Sequence, residues 1–188
     1  MKQNSGSPPT AAPVSTLRHL FLFLLLASTL PAAPVLAGVG LGDEIPALDI
    51  RLLDGKVVNL RALRTKPVLV TFWATWCPPC IKEMSDLQQL YERYRGQGLE
   101  IIAISVNTER APVDEFIKAR GLTYPMAMSV PRHVEVFGPM LLPPKLFLID
   151  PGGRVALSHW GPVRPEALEA TIKAMLVNSA NLGARYPA

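Results

Sequence analysis

Cysteine is scarce: two residues in a chain of 188, standing together as Cys77-Pro78-Pro79-Cys80. That excludes a disulfide framework of the kind that staples small secreted domains. A pair two residues apart also closes almost no loop, so a bond between them removes little unfolded-chain entropy. The spacing suits redox exchange or metal binding. A structural zinc site needs a second close ligand pair, and none exists. Haem attachment needs histidine directly after the second cysteine, where Ile81 stands. Charge is also low, at 18%, which is compatible with a packed core. No basic stripe is present to track a phosphate backbone, so nucleic acid is excluded as a partner. Without residues 1–37 the chain holds 17 basic against 15 acidic residues, because Lys2 and Arg18 fall in that segment and no Asp or Glu does.

The N-terminal segment is what raises the apolar content. Residues 1–16 are polar and rich in Pro and Ser. Arg18 and His19 follow, then an apolar run from Leu20 to Leu30, then Pro31 and Pro34, then Val35-Leu36-Ala37. This is the order of a secretory signal, with cleavage expected after Ala37. The alternative is an uncleaved anchor: the uncharged run from Leu20 to Leu41 approaches the roughly 20 residues a membrane span needs, although two prolines lie inside it. No cysteine lies near the cleavage site, which excludes a lipid anchor on an N-terminal cysteine. Both readings put the rest of the chain in an oxidising extracytoplasmic space, the bacterial periplasm, either free or anchored to the inner membrane. The expected organisation is a signal peptide or anchor over 1–37, one domain over 38–177 and a flexible tail over 178–188.

Residues 43–66 read as a lead-in hairpin. Leu48, Ile50 and Leu52 alternate with polar positions, Asp54-Gly55 supplies the turn and Val57-Val58 resumes. The run from Val68 to Ala74 is a buried strand. Then the period changes: Ile81, Met84, Leu87, Leu90, Tyr91 and Tyr94 share one helical face, and Gly96 and Gly98 stop it. Leu99 to Val106 is a second buried strand, followed by a helix from Pro112 to Arg120 that ends at Gly121. Strand, helix, strand, helix predicts parallel strands joined by crossovers. Leu146 to Asp150, the turn Pro151-Gly152-Gly153, and Arg154 to Trp160 form an antiparallel pair. Pro165 to Val177 is a closing helix.

The cysteine pair sits where a buried strand gives way to a helix. A thiolate attacks a disulfide, and the unpaired N–H groups and positive potential of a helix N-terminus stabilise a thiolate. Cys77 stands at that end and is the expected nucleophile. Cys80, one turn inside, is the expected resolving thiol. Pro78 and Pro79 fit first-turn positions but bring no N–H toward the Cys77 sulfur. Weaker thiolate stabilisation favours the disulfide over the dithiol, which predicts a reductant.

The stretch Phe72-Trp73-Ala74-Thr75-Trp76-Cys77-Pro78-Pro79-Cys80 resembles the active-site segment of the thioredoxin superfamily. More narrowly it is similar to the TlpA/ResA/CcmG group of extracytoplasmic disulfide reductases. The likeness runs over most of residues 40–177 and includes Gly42-Asp43-Glu44-Ile45-Pro46, Leu53-Asp54-Gly55-Lys56, and Phe147-Leu148-Ile149-Asp150 with Gly152-Gly153. It implies a thioredoxin-like α/β fold: a central mixed β-sheet flanked by helices, with an N-terminal β-hairpin addition. It implies that Pro144 is the cis-proline facing the cysteines. Pro143 before it, unusual for the group, leaves two X–Pro bonds as candidates. Pro143 offers substrate its carbonyl but no N–H, and Trp76 covers the sulfurs. Glu83 matches the group's acidic residue near the site, able to exchange the Cys80 proton. Thioredoxin itself carries a buried aspartate in the preceding strand, where this chain has Thr71. The resemblance implies disulfide-bearing exported proteins as substrates, with apocytochrome c or copper-site cysteines among them. It implies a membrane thiol donor of the DsbD or CcdA type, and no cofactor beyond the Cys77-Cys80 pair.

Other readings stand beside these. Glu83 could be a solvated first-turn glutamate favoured by the helix dipole. Trp73 and Trp160 read as core or rim packing, Met84 as part of the apolar helical face, and His133 and His159 as ordinary surface or strand residues. A copper metallochaperone would add His133 or His159 to the cysteines. A thiol peroxidase would share the fold, but Thr75 lies two residues from Cys77, where a Thr-x-x-Cys spacing is expected. A module that has kept the motif without turnover is the remaining alternative.

Overall fold

Val68–Trp73 (β3) carries six consecutive buried side chains, and the molecule is built outward from it. The computed structural model describes residues 38–185. The expected signal or anchor over 1–37 lies outside them. Among the described residues no helix is long and apolar enough to cross a membrane.

Chain order runs Asp49–Arg51 (β1), Val57–Asn59 (β2), β3, Pro78–Tyr94 (α1), Glu100–Ser105 (β4), Ala111–Arg120 (α2), Met126–Met128 (β5), Pro131–Phe137 (α3), Lys145–Ile149 (β6), Val155–Trp160 (β7) and Pro165–Arg185 (α4). The main sheet has the order β5-β4-β3-β6-β7. Strands β4 and β5 run parallel to their neighbours on the β3 side, whereas β6 and β7 are antiparallel. The expected mixed sheet and thioredoxin-like topology are therefore present. Strands β1 and β2 form the expected separate hairpin, with Ile50 opposite Val58. It is tied to the main sheet through a bridge from Leu52 to Ala127.

Strand alternation divides the core in two. Leu69 and Trp73 face a layer built from α1, α2 and α4, with Met84, Leu87, Val113 and Ile172. Val70 and Phe72 face the hairpin and α3, with Ile50, Leu60 and Phe137. Phe72 meets Phe137 edge-on at 5.3 Å and Phe147 at 6.3 Å. Truncating such a ring costs about 3–5 kcal/mol.

Three features depart from the pattern in the sequence. Strand β5 and helix α3 were not expected. Helix α4 runs to Arg185, past the expected end at Val177. His133, expected as an ordinary surface or strand residue, is buried in α3, where its Nδ1 accepts the Val130 N–H at 3.2 Å. Trp73 is core, against Phe116 at 5.1 Å. Trp160 and His159 lie at the exposed end of β7.

Candidate active site

The C-terminal ends of β3 and β4 converge on one turn. Asn107, two residues past β4, receives the Thr75 N–H on Oδ1 at 3.0 Å and donates from Nδ2 to the Thr75 hydroxyl at 2.7 Å. The Ser105 hydroxyl donates to the same Oδ1 at 2.9 Å. This clamp fixes the backbone just before Trp76-Cys77. Thr75 is thus held by Asn107 through both its backbone N–H and its hydroxyl.

Cys77 is the N-cap of α1, in extended conformation at φ −103° and ψ 102°, with Pro78 and Pro79 at the first two helical positions. Cys77 and Cys80 are joined as a disulfide, with Cα atoms 5.3 Å apart. The Cys80 N–H approaches the Cys77 sulfur at 3.3 Å. An N-cap acceptor takes its hydrogen bonds from the second or third helical residue. Here the second is Pro79, so Cys80 alone of these two can serve.

The bond between Pro143 and Pro144 is cis, so Pro144 is the cis-proline, as the resemblance implied. The Pro143 carbonyl oxygen lies 3.4 Å from Cys77 Sγ. The Gly161 N–H donates to the Pro144 carbonyl at 2.8 Å, which ties the end of β7 to the cis-proline segment. Lys145, next in sequence, is buried. Its Nζ donates to the Phe137 carbonyl at 2.9 Å and lies 4.5 Å from the Trp160 ring centre. Burial pulls its pKa down. Beside it, Leu141, Leu142, Pro143, Trp160 and Gly161 line an apolar cleft of about 430 Å³. Leu141 and Leu142 are 78% and 74% exposed, and Trp76 is 62% exposed. Trp76 thus stands at the rim of the site, while both cysteines are buried.

Glu83 lies one helical turn after Cys80, on the same face of α1. It is only 6% exposed, which overturns the solvated first-turn reading. Its Oε1 accepts the Thr71 hydroxyl at 3.0 Å. Its Oε2 is buried, with no hydrogen-bond partner among the described residues. Burial pushes the carboxyl up to about 7; the Thr71 hydroxyl and then the nearby Val163 N–H pull it down, and Asp86 adds a small upward push.

Asn107 and Lys145 were missed in the sequence. The available signal was position: Asn107 follows the C-terminal end of a central strand, where open α/β sheets gather their functional groups. Lys145 offered none, since a lysine opening a strand ordinarily reads as a solvated edge.

The AhpC/TSA family model matches residues 41–158. The thiol-disulfide oxidoreductase ResA of Bacillus thuringiensis (strain Al Hakam) is 36% identical over 136 residues, covering 71% of this chain and 77% of that protein. ResA of Halalkalibacterium halodurans is 35% identical over 129 residues, covering 68% and 73%. Among solved structures, a thiol:disulfide interchange protein of the thioredoxin family from Chlorobium tepidum TLS superimposes with a TM-score of 0.66 at 28% identity, covering 73% of this chain and 98% of that one.

Proposed function

The chain belongs to the AhpC/TSA family and is a thiol–disulfide oxidoreductase of the ResA type, and from that premise we propose that it works as a disulfide reductase on exported proteins. The observation that carries the direction is the donor poverty of the Cys77 sulfur. Among the described residues one N–H reaches it, from Cys80 at 3.3 Å, and the neighbouring donor position is Pro79. A poorly stabilised thiolate makes the dithiol the higher-energy form, so the pair gives electrons away.

In the reduced protein the Cys77 thiolate attacks one sulfur of a client cystine. The client S–S bond breaks, a Cys77–client disulfide forms, and the other client sulfur leaves as a thiolate. Glu83, poised near neutrality by burial, takes the Cys80 proton. The Cys80 thiolate then attacks Cys77 Sγ, and the second client sulfur leaves. Two electrons have passed from the dithiol to the client. An external dithiol must reduce the Cys77–Cys80 bond again; a membrane thiol donor of the DsbD or CcdA type fits this role. The Pro143 carbonyl is left to accept a client backbone N–H, and Trp76 with the Leu142–Trp160 cleft receives an apolar flank. Clients of this chemistry include apocytochrome c and copper-site cysteine pairs. The site of action is the periplasm, with residues 1–37 as signal or anchor.

The test mixes reduced protein with an oxidised peptide carrying a Cys-x-x-Cys-His cystine, then acid-quenches and alkylates. The expected product is peptide dithiol and oxidised protein in equal amounts. Electron flow from a reduced peptide into the oxidised protein as the favoured direction would contradict the reading.

A further inference from the structure

We propose that Thr71 is a positioning residue for the buried acid, its hydroxyl holding Glu83 Oε1 so that the other carboxyl oxygen is the one that exchanges a proton with Cys80. This rests on reading Glu83 as the proton carrier of the exchange reaction. Thr71 sits in the middle of β3, wholly buried, opposite Ala103 on one side and Leu146 on the other. The other β3 residues are Val68, Leu69, Val70, Phe72 and Trp73. Packing alone would take valine at this point, since it has the same shape and no hydroxyl to satisfy. A buried hydroxyl is costly unless hydrogen-bonded, and here its partner is the Glu83 carboxyl at 3.0 Å.

The pairing is rigid on the threonine side. A β-branched residue is stiff at its first side-chain torsion, and a central strand fixes its backbone. Glu83, long and flexible, is thereby pinned at one oxygen. Its Oε2 stays buried, with no hydrogen-bond partner among the described residues, so it is the place for a proton to land. The groups facing the carboxyl can be named element by element. Helix α1 carries Cys80 one turn before Glu83 and brings Asp86; Asp86 itself pairs with Lys82 at 3.3 Å. The segment before β5 brings Tyr124, whose hydroxyl donates to the Met84 carbonyl at 3.2 Å. Burial and the nearby Glu83 raise that phenol, so it stays neutral. The segment after β7 brings the Val163 N–H. Of the influences that favour the ionised carboxylate, the Thr71 hydroxyl is the largest.

The experiment compares the full chain with its Thr71→Val, Thr71→Ser and Glu83→Gln variants, reading the rate of client disulfide reduction against pH. Thr71→Val keeps the volume and removes the donor, and its profile is expected to move alkaline by about one pH unit. Thr71→Ser should restore the wild-type profile. Glu83→Gln should remove that limb altogether. If Glu83→Gln removes the limb and Thr71→Val coincides with wild type, the Thr71 proposal is overturned and the Glu83 reading stands. If Glu83→Gln leaves the limb in place, the Glu83 reading falls and the proposal with it. An activity-independent reading guards against poor folding. In the oxidised form, the infrared carbonyl band of protonated Glu83 should persist to higher pH in Thr71→Val than in wild type. Titration at the same pH in both would also overturn the proposal.

Discussion

The Cys80 N–H lies 3.3 Å from the Cys77 sulfur, in the role of the third helical residue donating to its own N-cap. The second helical residue would be the other donor, and it is Pro79. Restoring that N–H with Pro79→Ala should therefore lower the Cys77 pKa by about one unit, taking about 1.5 kcal/mol, the low end for a hydrogen bond to a charged group, for a bond to sulfur. The same change should raise the reduction potential by up to about 30 mV. Pro78→Ala should leave both unchanged, because the first helical N–H does not serve the cap. Thiolate absorbance against pH and equilibration in redox buffers read the two effects. Equal shifts in both variants would mean that proline stiffness, rather than a missing donor, sets the thiol.

Glu83 also makes stability depend on pH. Its folded pKa is raised from 4.5 to about 7. Between those values the folded protein holds a proton that the unfolded chain has lost, so stability falls as pH rises through that window and levels off above it. The ceiling on the loss is about 3 kcal/mol. Glu83→Gln lacks the carboxyl and should lack the decline. Urea denaturation of wild type and variant, both in the disulfide form so that the cysteines do not titrate, should show the stability difference moving in the variant's favour from about pH 4.5 to about pH 7. Parallel curves would mean that the folded carboxyl titrates normally.

Much of this architecture was legible in residue order. The long apolar runs gave up β3, β4 and β6, because a strand buried on both faces has no alternation to obscure it. The period along Met84, Leu87 and Leu90 identified α1, and Asp54-Gly55 identified the hairpin. The two cysteines were readable from their place at a strand end, and Pro144 from the family resemblance. Strand β5 was hidden because three residues, Met126–Met128, make too short a pattern, and its identity as a strand comes from pairing with β4. Helix α3 was hidden for a similar reason: seven residues give one buried face of only a few positions. The clamp at Asn107 and the Thr71–Glu83 contact join residues 32 and 12 positions apart. Such contacts exist only once the sheet has assembled, and no local periodicity carries them.

The Asn107 clamp gives its own prediction. Asn107→Ala leaves the Thr75 N–H and Ser105 hydroxyl without their shared acceptor, at a cost of about 1–3 kcal/mol. Thr75→Ala in that background should add little, because the two residues act as one unit. A double-mutant cycle by urea denaturation measures this. Additive costs would show that the two sides of the clamp are independent.

The apolar cleft predicts a client preference. Leu142 is exposed, so Leu142→Glu should fold normally. It should raise KM by about tenfold for a cystine peptide with a bulky apolar neighbour and leave a glycine-flanked peptide nearly unaffected, since one apolar contact contributes about 1–3 kcal/mol. Steady-state reduction of the two peptides separates the cases. Equal losses on both would assign Leu142 to the geometry of the cis-proline segment rather than to client contact.

The most direct test of the central claim is the reduction potential of the Cys77–Cys80 pair, read by equilibrating the protein in graded thiol/disulfide buffers and trapping with an alkylating reagent. The account predicts a reducing value near that of thioredoxin, about −270 mV. A value near the strongly oxidising end, about −120 mV, would contradict it and make the protein an oxidant.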